Sequence, residues 1–320
     1  MRPLRIIGLT AAALAAAIAL AQSPQKPMHV ILPVSAGSGL DAIVRAAQNA
    51  LSKALDQPVV IENMPGAGGI TGTQALVKAA PDGTTIAVVS NNHATNPALY
   101  KSMPFDSVND ITPIAMIGTT PLVLVVNPKN LPAKDAKELI ALLKAKPGAY
   151  NYASSGNGTI IHFAGAAFAD EAGVDIRHIP YKGTGPMVTD LLGGQVDLGV
   201  VALPAVQGHL KTGSLRAIGV GGRHRSPAAP DIPTLAEQGL TGYDVEGWFA
   251  VIGPAKLSAT EVKRIRDAFV AAYSQPEVKE AMAKQGNEIN VGTPEGAAKH
   301  LRAEVDRYSK LAKKVGMQVD

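Results

Sequence analysis

After its first two dozen residues the chain alternates two hydrophobic patterns. Short, nearly uninterrupted apolar runs at 29–34, 58–62, 85–90, 121–126, 150–153, 196–201, 215–220 and 247–252 read as strands. Between them lie longer stretches in which apolar positions recur at helical spacing. In the first, 40–55, Ile43, Ala46, Ala47, Ala50, Leu51 and Ala54 fall on one face. Further helices are predicted ahead of Pro81-Asp82-Gly83, at 133–146 before Pro147-Gly148, at 160–172, ahead of Gly193-Gly194, and from 259 to the end with breaks near Pro276 and Pro294. Strand and helix joined by Gly, Pro, Asn or Ser clusters is the pattern of βαβ units and of a mostly parallel sheet flanked by helices. The run at 121–126 is β-branched and uncharged, as a strand covered on both faces should be.

Length and composition sharpen this picture. At roughly 100–200 residues per domain, 320 residues favour two α/β domains. With 46% hydrophobic and 18% charged residues the chain is globular, and no short-period repeat or low-complexity segment interrupts it. The absence of cysteine removes disulfides, thiolate metal sites and a cysteine nucleophile.

Residues 1–21 stand apart. Arg2 and Arg5 precede an uncharged run closed by Ala19-Leu20-Ala21, a small-x-small cleavage pattern. The run is shorter than the about 20 residues a membrane span needs, so we expect a cleaved secretory signal and an exported chain beginning near Gln22. Losing Arg2 and Arg5 takes two positive charges from the formal +4, leaving +2. With aromatic content at 4% and no basic block interleaved with aromatics, no nucleic-acid partner is expected.

Two loops carry the chemistry. Ser35 to Gly39 and Ser154 to Thr159 are rich in Gly, Ser and Thr, and each lies between a predicted strand end and helix start, one in each half of the chain. The first turn of a helix presents unpaired N–H groups and partial positive charge, and glycine lets a ligand approach the backbone, so such a loop can cradle an anion. Four hydrogen bonds to a charged group, at ~1.5–3 kcal/mol each, bracket the roughly −8 kcal/mol of micromolar binding without any arginine. Ordinary cap and turn chemistry explains either loop alone. Their pairing is the more specific signal.

Other constellations are weaker. Gly37-Ser38-Gly39-Leu40-Asp41-Ala42 fits the G-x-G-x-x-A dinucleotide fingerprint, with Glu62 at the end of the next strand where a ribose-binding acid would sit. Pro33 near the strand end and an exported chain speak against it. Histidines at 29, 93, 162, 178, 209, 224 and 300 show no metal-binding spacing, and there is neither G-x-S-x-G nor S-x-x-K, so no catalytic residue, metal or cofactor is expected. His93 and His162 follow candidate loops and could donate to a ligand or simply cap and pack. Lys182 could be a cation near the anion, or an exposed loop lysine.

The motifs, taken in order, resemble a known family. Residues 33–41 (Pro-Val-Ser-Ala-Gly-Ser-Gly-Leu-Asp), 62–69 (Glu-Asn-Met-Pro-Gly-Ala-Gly-Gly), 96–100 (Asn-Pro-Ala-Leu-Tyr), 154–159 (Ser-Ser-Gly-Asn-Gly-Thr), 180–183 (Pro-Tyr-Lys-Gly), 190–197 (Asp-Leu-Leu-Gly-Gly-Gln-Val-Asp) and 230–234 (Pro-Asp-Ile-Pro-Thr) are similar to the substrate-binding proteins of tripartite tricarboxylate transporters, the Bug family of periplasmic solute receptors. The resemblance implies a two-lobed periplasmic-binding-protein (flytrap) fold, each lobe a mostly parallel sheet flanked by helices. It places lobe 1 at 22–123 and 248–320 and lobe 2 at 124–247, with crossings near 122–126 and 247–252. It implies a small organic carboxylate held by Ala36, Gly37, Ser38, Gly39 and Asp41 and by Ser154, Ser155 and Thr159. Asn92, His93, Tyr181 and Leu203 complete the expected site. The implied partners are the integral-membrane permease subunits of such a transporter, with the receptor a monomer.

One departure bears on specificity. Many relatives carry Phe-Asp-Asn where this chain has Val200-Val201-Ala202 before Leu203-Pro204. Without that carboxylate an amino-acid ammonium lacks a partner, which favours a dicarboxylate or an aromatic acid. A receptor serving a membrane sensor, or an exported or nucleotide-dependent α/β enzyme, are the alternatives.

Overall fold

The computed structural model describes residues 26–317. The expected signal segment, 1–21, lies outside the described residues. The chain runs β1 (Met28–Leu32), α1 (Gly39–Leu55), β2 (Val59–Asn63), a 3₁₀ turn (Ala67–Gly69), α2 (Ile70–Val77), β3 (Thr85–Ser90), α3 (Asn92–Leu99) and β4 (Ile111–Thr120). It continues through β5 (Leu122–Val126), α4 (Ala136–Ala145), β6 (Asn151–Ser154), α5 (Ile160–Ala172), β7 (Arg177–Pro180), α6 (Thr184–Leu192), β8 (Leu198–Ala202), α7 (Leu203–Lys211) and β9 (Arg216–Val220). It closes with β10 (Gly247–Pro254), α8 (Ala259–Tyr273), α9 (Pro276–Lys284), β11 (Glu288–Ile289) and α10 (Pro294–Val315).

These elements build two α/β lobes, each around its own sheet. The first sheet has the order β11-β4-β10-β3-β1-β2, the second β7-β6-β8-β5-β9. Most strands in each sheet run one way. Besides the two-residue edge strand β11, antiparallel to β4, two exceptions are informative: β10 is antiparallel to both β3 and β4, and β5 is antiparallel to both β8 and β9. Each is the strand by which the chain enters a lobe from the other one. β1, β2, β3, β6, β7 and β8 therefore end on the side where β5 and β10 begin, and the loops after them gather at the passage between lobes.

Helices cover both faces of each sheet. In the first lobe Ile43, Val44, Leu51, Ile265 and Phe269 from α1 and α8 pack one face, and Leu76, Leu99, Leu301 and Tyr308 from α2, α3 and α10 the other. In the second, Leu139, Leu143 and Phe168 cover one face, and Met187, Leu191 and Val206 the other. At roughly 1.5–3 kcal/mol for each fully buried large aliphatic or aromatic side chain, these layers drive folding.

The chain crosses between the sheets at Pro121 and at Glu246. The carbonyl of Pro121 accepts from the N–H of Leu203 at 2.9 Å. The buried Asn91 side chain donates to the carbonyl of Glu246 at 2.9 Å and accepts from the N–H of Trp248 at 3.0 Å, clasping the return passage. A third link is α10. Its Tyr308 meets Phe163 of α5 edge-on, ring centroids 5.1 Å apart, so a side chain of the second lobe lies in the core of the first.

Several elements differ from the sequence reading, among them the short β11, which interrupts the stretch from 259 expected to be helical to the end. β4 has no counterpart in that reading, because Pro113 and Gly118 interrupt the run; the strand accommodates them with register shifts against β10 that leave Ile114 and Ile117 fully buried. α3 carries Pro97 inside it, which masks the helical pattern. α7 begins at Leu203 directly from β8, with Pro204 in its first turn. Pro276 and Pro294, expected as breaks, open α9 and α10.

Candidate functional site

The loops after β1 and β6 are built on one plan. Ser38 caps α1, its hydroxyl oxygen accepting from the N–H of Asp41 at 3.3 Å; Thr159 caps α5, accepting from the N–H of His162 at 3.3 Å. In both, the third helical residue reaches back to the glycine just before the cap. The N–H of Gly37 donates to Asp41 Oδ2 at 2.9 Å, and the N–H of Gly158 donates to His162 Nδ1 at 3.1 Å. This is capping-box reciprocity displaced by one residue. Both glycines have left-handed φ, +79° and +73°, which a side chain would resist. The N–H groups of Gly39 and Leu40, and of Ile160 and Ile161, have no acceptor among the described residues. A Cβ added to Gly39 would meet nothing within 4 Å, so this helix start faces open space.

The anchors behind the loops differ. Asp41 is 3% exposed and turns inward, Oδ1 accepting from Arg45 Nε at 2.8 Å and from Asn63 Nδ2 at 2.9 Å. Burial pulls its carboxyl upward, but the hydrogen bonds from Arg45, Gly37 and Asn63 outweigh that and hold it below the usual carboxylate value. Behind the second loop, the rings of His162 and His178 stack at 3.7 Å between centroids and 9° between planes, with Tyr152 4.9 Å from His178. His178 Nε2 lies 2.7 Å from the hydroxyl of Ser154, which is itself fully buried and also accepts the N–H of Gly156 at 3.2 Å. Burial lowers His178 to about 4; burial and the neighbouring His178 lower His162 to about 3. Both rings are neutral at pH 7.

A chain of contacts gathers the loops. Asn63 Nδ2 donates to the carbonyl of Val34 at 3.3 Å, Asn96 Nδ2 to that of Gly68 at 3.1 Å, and the hydroxyl of Thr95 on α3 to that of Gly158 at 3.5 Å. The last contact joins the two lobes. Below the first loop lies a 10 Å³ space bordered by Leu40, Gly68, Asn92 and His93, enough for about one water.

The remaining expected residues divide. Ala36 and Gly37 are exposed, Ser38 and Asn92 half-buried. Ser155 and Thr159 hydroxyls bond each other at 3.3 Å, and Thr159 donates to the carbonyl of Gly156 at 2.9 Å. Tyr181 is half-buried, with its phenol donating to Asp190 at 2.8 Å; burial first and Asp190 second push it up to about 12. Leu203 is 1% exposed, its side chain in the second core. His93 is buried, Nε2 2.7 Å from the carbonyl of Ser107 and its ring stacked on Phe105, and burial lowers it to about 4. Lys182 is exposed. The dinucleotide arrangement is absent: the N–H of Gly37 is taken up by Asp41, and Glu62 pairs with His29. Among the described residues no cluster of His, Cys, Asp or Glu is suited to a metal, and no helix is long and apolar enough to cross a membrane.

Sequence reasoning missed Asn91, Asn63, Arg45 and His178. Arg45 lies one turn after Asp41, a spacing that announces an ion pair; the others join through the fold and leave no local signal.

A family model described as tripartite tricarboxylate transporter family receptor matches residues 43–317. Protein BugT of Bordetella pertussis is 35% identical over 99% of this chain and 98% of its own length. Among solved structures, an R. palustris protein with adipate is 30% identical with a TM-score of 0.80, covering 93% of this chain and 100% of that one. MatC from Rhodopseudomonas palustris with bound malate is 28% identical with a TM-score of 0.76, covering 90% and 99%. More distantly, at 14% identity, the fold is shared with a methylphosphonate-bound protein of Prochlorococcus marinus, TM-score 0.56, which covers 91% of this chain and 98% of that one. The chain belongs to the tripartite tricarboxylate transporter receptor family, alongside Bug-named relatives.

Proposed function

We propose that this chain is a monomeric periplasmic solute-binding protein that captures a small organic carboxylate and delivers it to a tripartite tricarboxylate-type permease. The observation that carries this reading is the matched pair of helix starts, each with its first two N–H groups unclaimed, drawn together by the Thr95–Gly158 contact between lobes. Such groups favour an anion through direct hydrogen bonds and the helix dipole. Relatives solved with malate and adipate support the ligand class.

Lobe 1 comprises 22–123 and 248–320 and lobe 2 comprises 124–247 in this reading, with Ala36, Gly37, Ser38, Gly39, Asn92, Ser155 and Thr159 nearest the ligand. Asp41, Ser154 and His93 act from behind. The mechanism is a population shift: a ligand loads on one lobe, and contacts made only with the other favour closure. At the cleft end of β8, Val200 and Val201 are buried and Ala202 is half-buried, so no side chain there can pair an ammonium, and a dicarboxylate or an aromatic acid is preferred over an amino acid.

A thermal-shift panel of mono-, di- and aromatic carboxylates with aspartate and glutamate tests both levels. A ligand at a hundred times its Kd should stabilise by ~2.7 kcal/mol, a shift of several degrees. Melting unmoved by every acid would overturn carboxylate capture. Tighter binding of aspartate or glutamate than of any dicarboxylate or aromatic acid would overturn the preferred class.

A further inference from the structure

We propose that His162 is a positioning residue for ligand capture: its bare Nδ1 holds the Gly158 peptide so that the start of α5 stays open to a carboxylate, and His178 keeps the ring in place. This rests on the carboxylate reading above and adds to it a side chain that need not touch the ligand.

The Gly158 peptide is held from two sides. Its N–H donates to His162 Nδ1 at 3.1 Å, and its carbonyl accepts from Thr95 of the other lobe at 3.5 Å. A peptide fixed this way sits where the second loop meets the first lobe, one residue before the Thr159 cap. Only an imidazole with no proton on Nδ1 can accept the Gly158 N–H; a proton there would set two donors against each other. The stack guards that state. With centroids 3.7 Å apart, a charge on either ring disfavours a charge on the other, and both rings are half-buried.

The groups facing the pair are Tyr152 from β6, which stacks 6.3 Å from His162 and 4.9 Å from His178, and Ser154 at 2.7 Å from His178. From the following loop and α6, Tyr181 and Asp190 bond each other. On α5 and from α10, the charged groups Asp170 and Lys314 pair with each other, and Tyr308 meets Phe163. Among the described residues no ion pair reaches either ring, so nothing offsets a positive charge there.

The test combines His162→Phe, which keeps a ring for stacking but removes the acceptor, with His162→Asn, whose Oδ1 can take the place of Nδ1. Amide exchange and imidazole nitrogen shifts are read by NMR on the ligand-free protein, and adipate and malate binding by calorimetry. In the wild type, Nδ1 of His162 should be unprotonated at pH 7. His162→Phe should speed Gly158 exchange and weaken adipate or malate binding, each by roughly tenfold or more. His162→Asn should stay within about threefold of wild type on both, and should abolish the acid titration of the Gly158 amide that the wild type shows. The proposal is overturned if His162→Phe leaves exchange or affinity unchanged, or if His162→Asn is as impaired as His162→Phe, which would reduce the ring to packing. If the wild type binds no carboxylate, the functional reading fails, while the Gly158 exchange still decides whether His162 sets the loop.

Discussion

The starts of α1 and α5 are the same device made with different chemistry. Each has a glycine in left-handed backbone, a hydroxyl cap, two free N–H groups, and a third helical residue that reaches back to the glycine. The first lobe uses a carboxylate there, Asp41, pairs its charge with Arg45 and gives it a hydrogen bond from Asn63. The second uses a neutral imidazole, His162, and supports it with another. A carboxylate near a helix start competes with an anionic ligand for the same positive potential, and Arg45 offsets that competition. An imidazole leaves the potential of α5 undiminished. In the proposed reading the second helix start is the better anion site of the two.

Acid should separate them most. A histidine lowered in the folded state leaves the unfolded chain holding more protons below about pH 6.5, so stability falls as pH drops from there toward the folded values. His93 and His178 at about 4 and His162 at about 3 all act in this sense. Each removes up to ~1.4 kcal/mol per pH unit, less where water reaches the ring. Glu246, raised to about 7 by burial and then by Asp244 and Glu288, acts oppositely from about 4.5 to 7. His300, lowered chiefly by burial, adds to the loss, and these four against one leave a net loss as pH falls from about 6.5 toward 4. Asp41, held below the usual value, keeps its contribution until pH falls under about 3.8. Denaturant midpoints across pH 3.5–8 check this, and a midpoint that rises on acidification from 6.5 would contradict it.

Removing the first anchor comes next. Asp41→Ala removes the acceptor of the Gly37 N–H, one of the two acceptors of the Asn63 amide and the ion-pair partner of Arg45, at a cost of about 3 kcal/mol in unfolding free energy by denaturant titration. A change under about 1 kcal/mol would mean the carboxylate does not organise the loop.

The smallest effect is the most pointed. His162→Asp makes the second start resemble the first but without an arginine beside it. Its carboxylate can still accept the Gly158 N–H, yet adipate or malate binding should weaken by roughly tenfold, about 1.4 kcal/mol, and the loss should shrink with salt. Affinity equal to wild type in calorimetry would remove the electrostatic distinction between the loops.

The caps are legible in the amino-acid sequence by itself, because Ser38 and Thr159 stand between apolar runs and helical patterns and glycines precede them. Most strands and helices are legible for the same reason. β4 is not, since Pro113 and Gly118 break its pattern and only pairing with β10 restores a strand. The anchors are legible only in part. Asp41 can be placed at a helix start, but its inward turn depends on Asn63 from another strand. His162 and His178 are remote in sequence and meet because β6 and β7 pair in parallel, with Tyr152 opposite His178. Leu203 reads as a rim residue, yet the direct passage from β8 into α7 carries it into the core.

The place of β10 between β3 and β4 has a consequence for how the molecule comes to be. Residues 122–245 contain every strand of their own sheet, so that half can assemble as soon as it leaves the ribosome or translocation pore. The half that begins first cannot, because β3 and β4 share no partner until Gly247–Pro254 arrives. Long-range pairing of this kind is slow and leaves open strand edges meanwhile. The later segment thus matures earlier, and the N-terminal strands are the ones that wait exposed and depend most on protection during biogenesis.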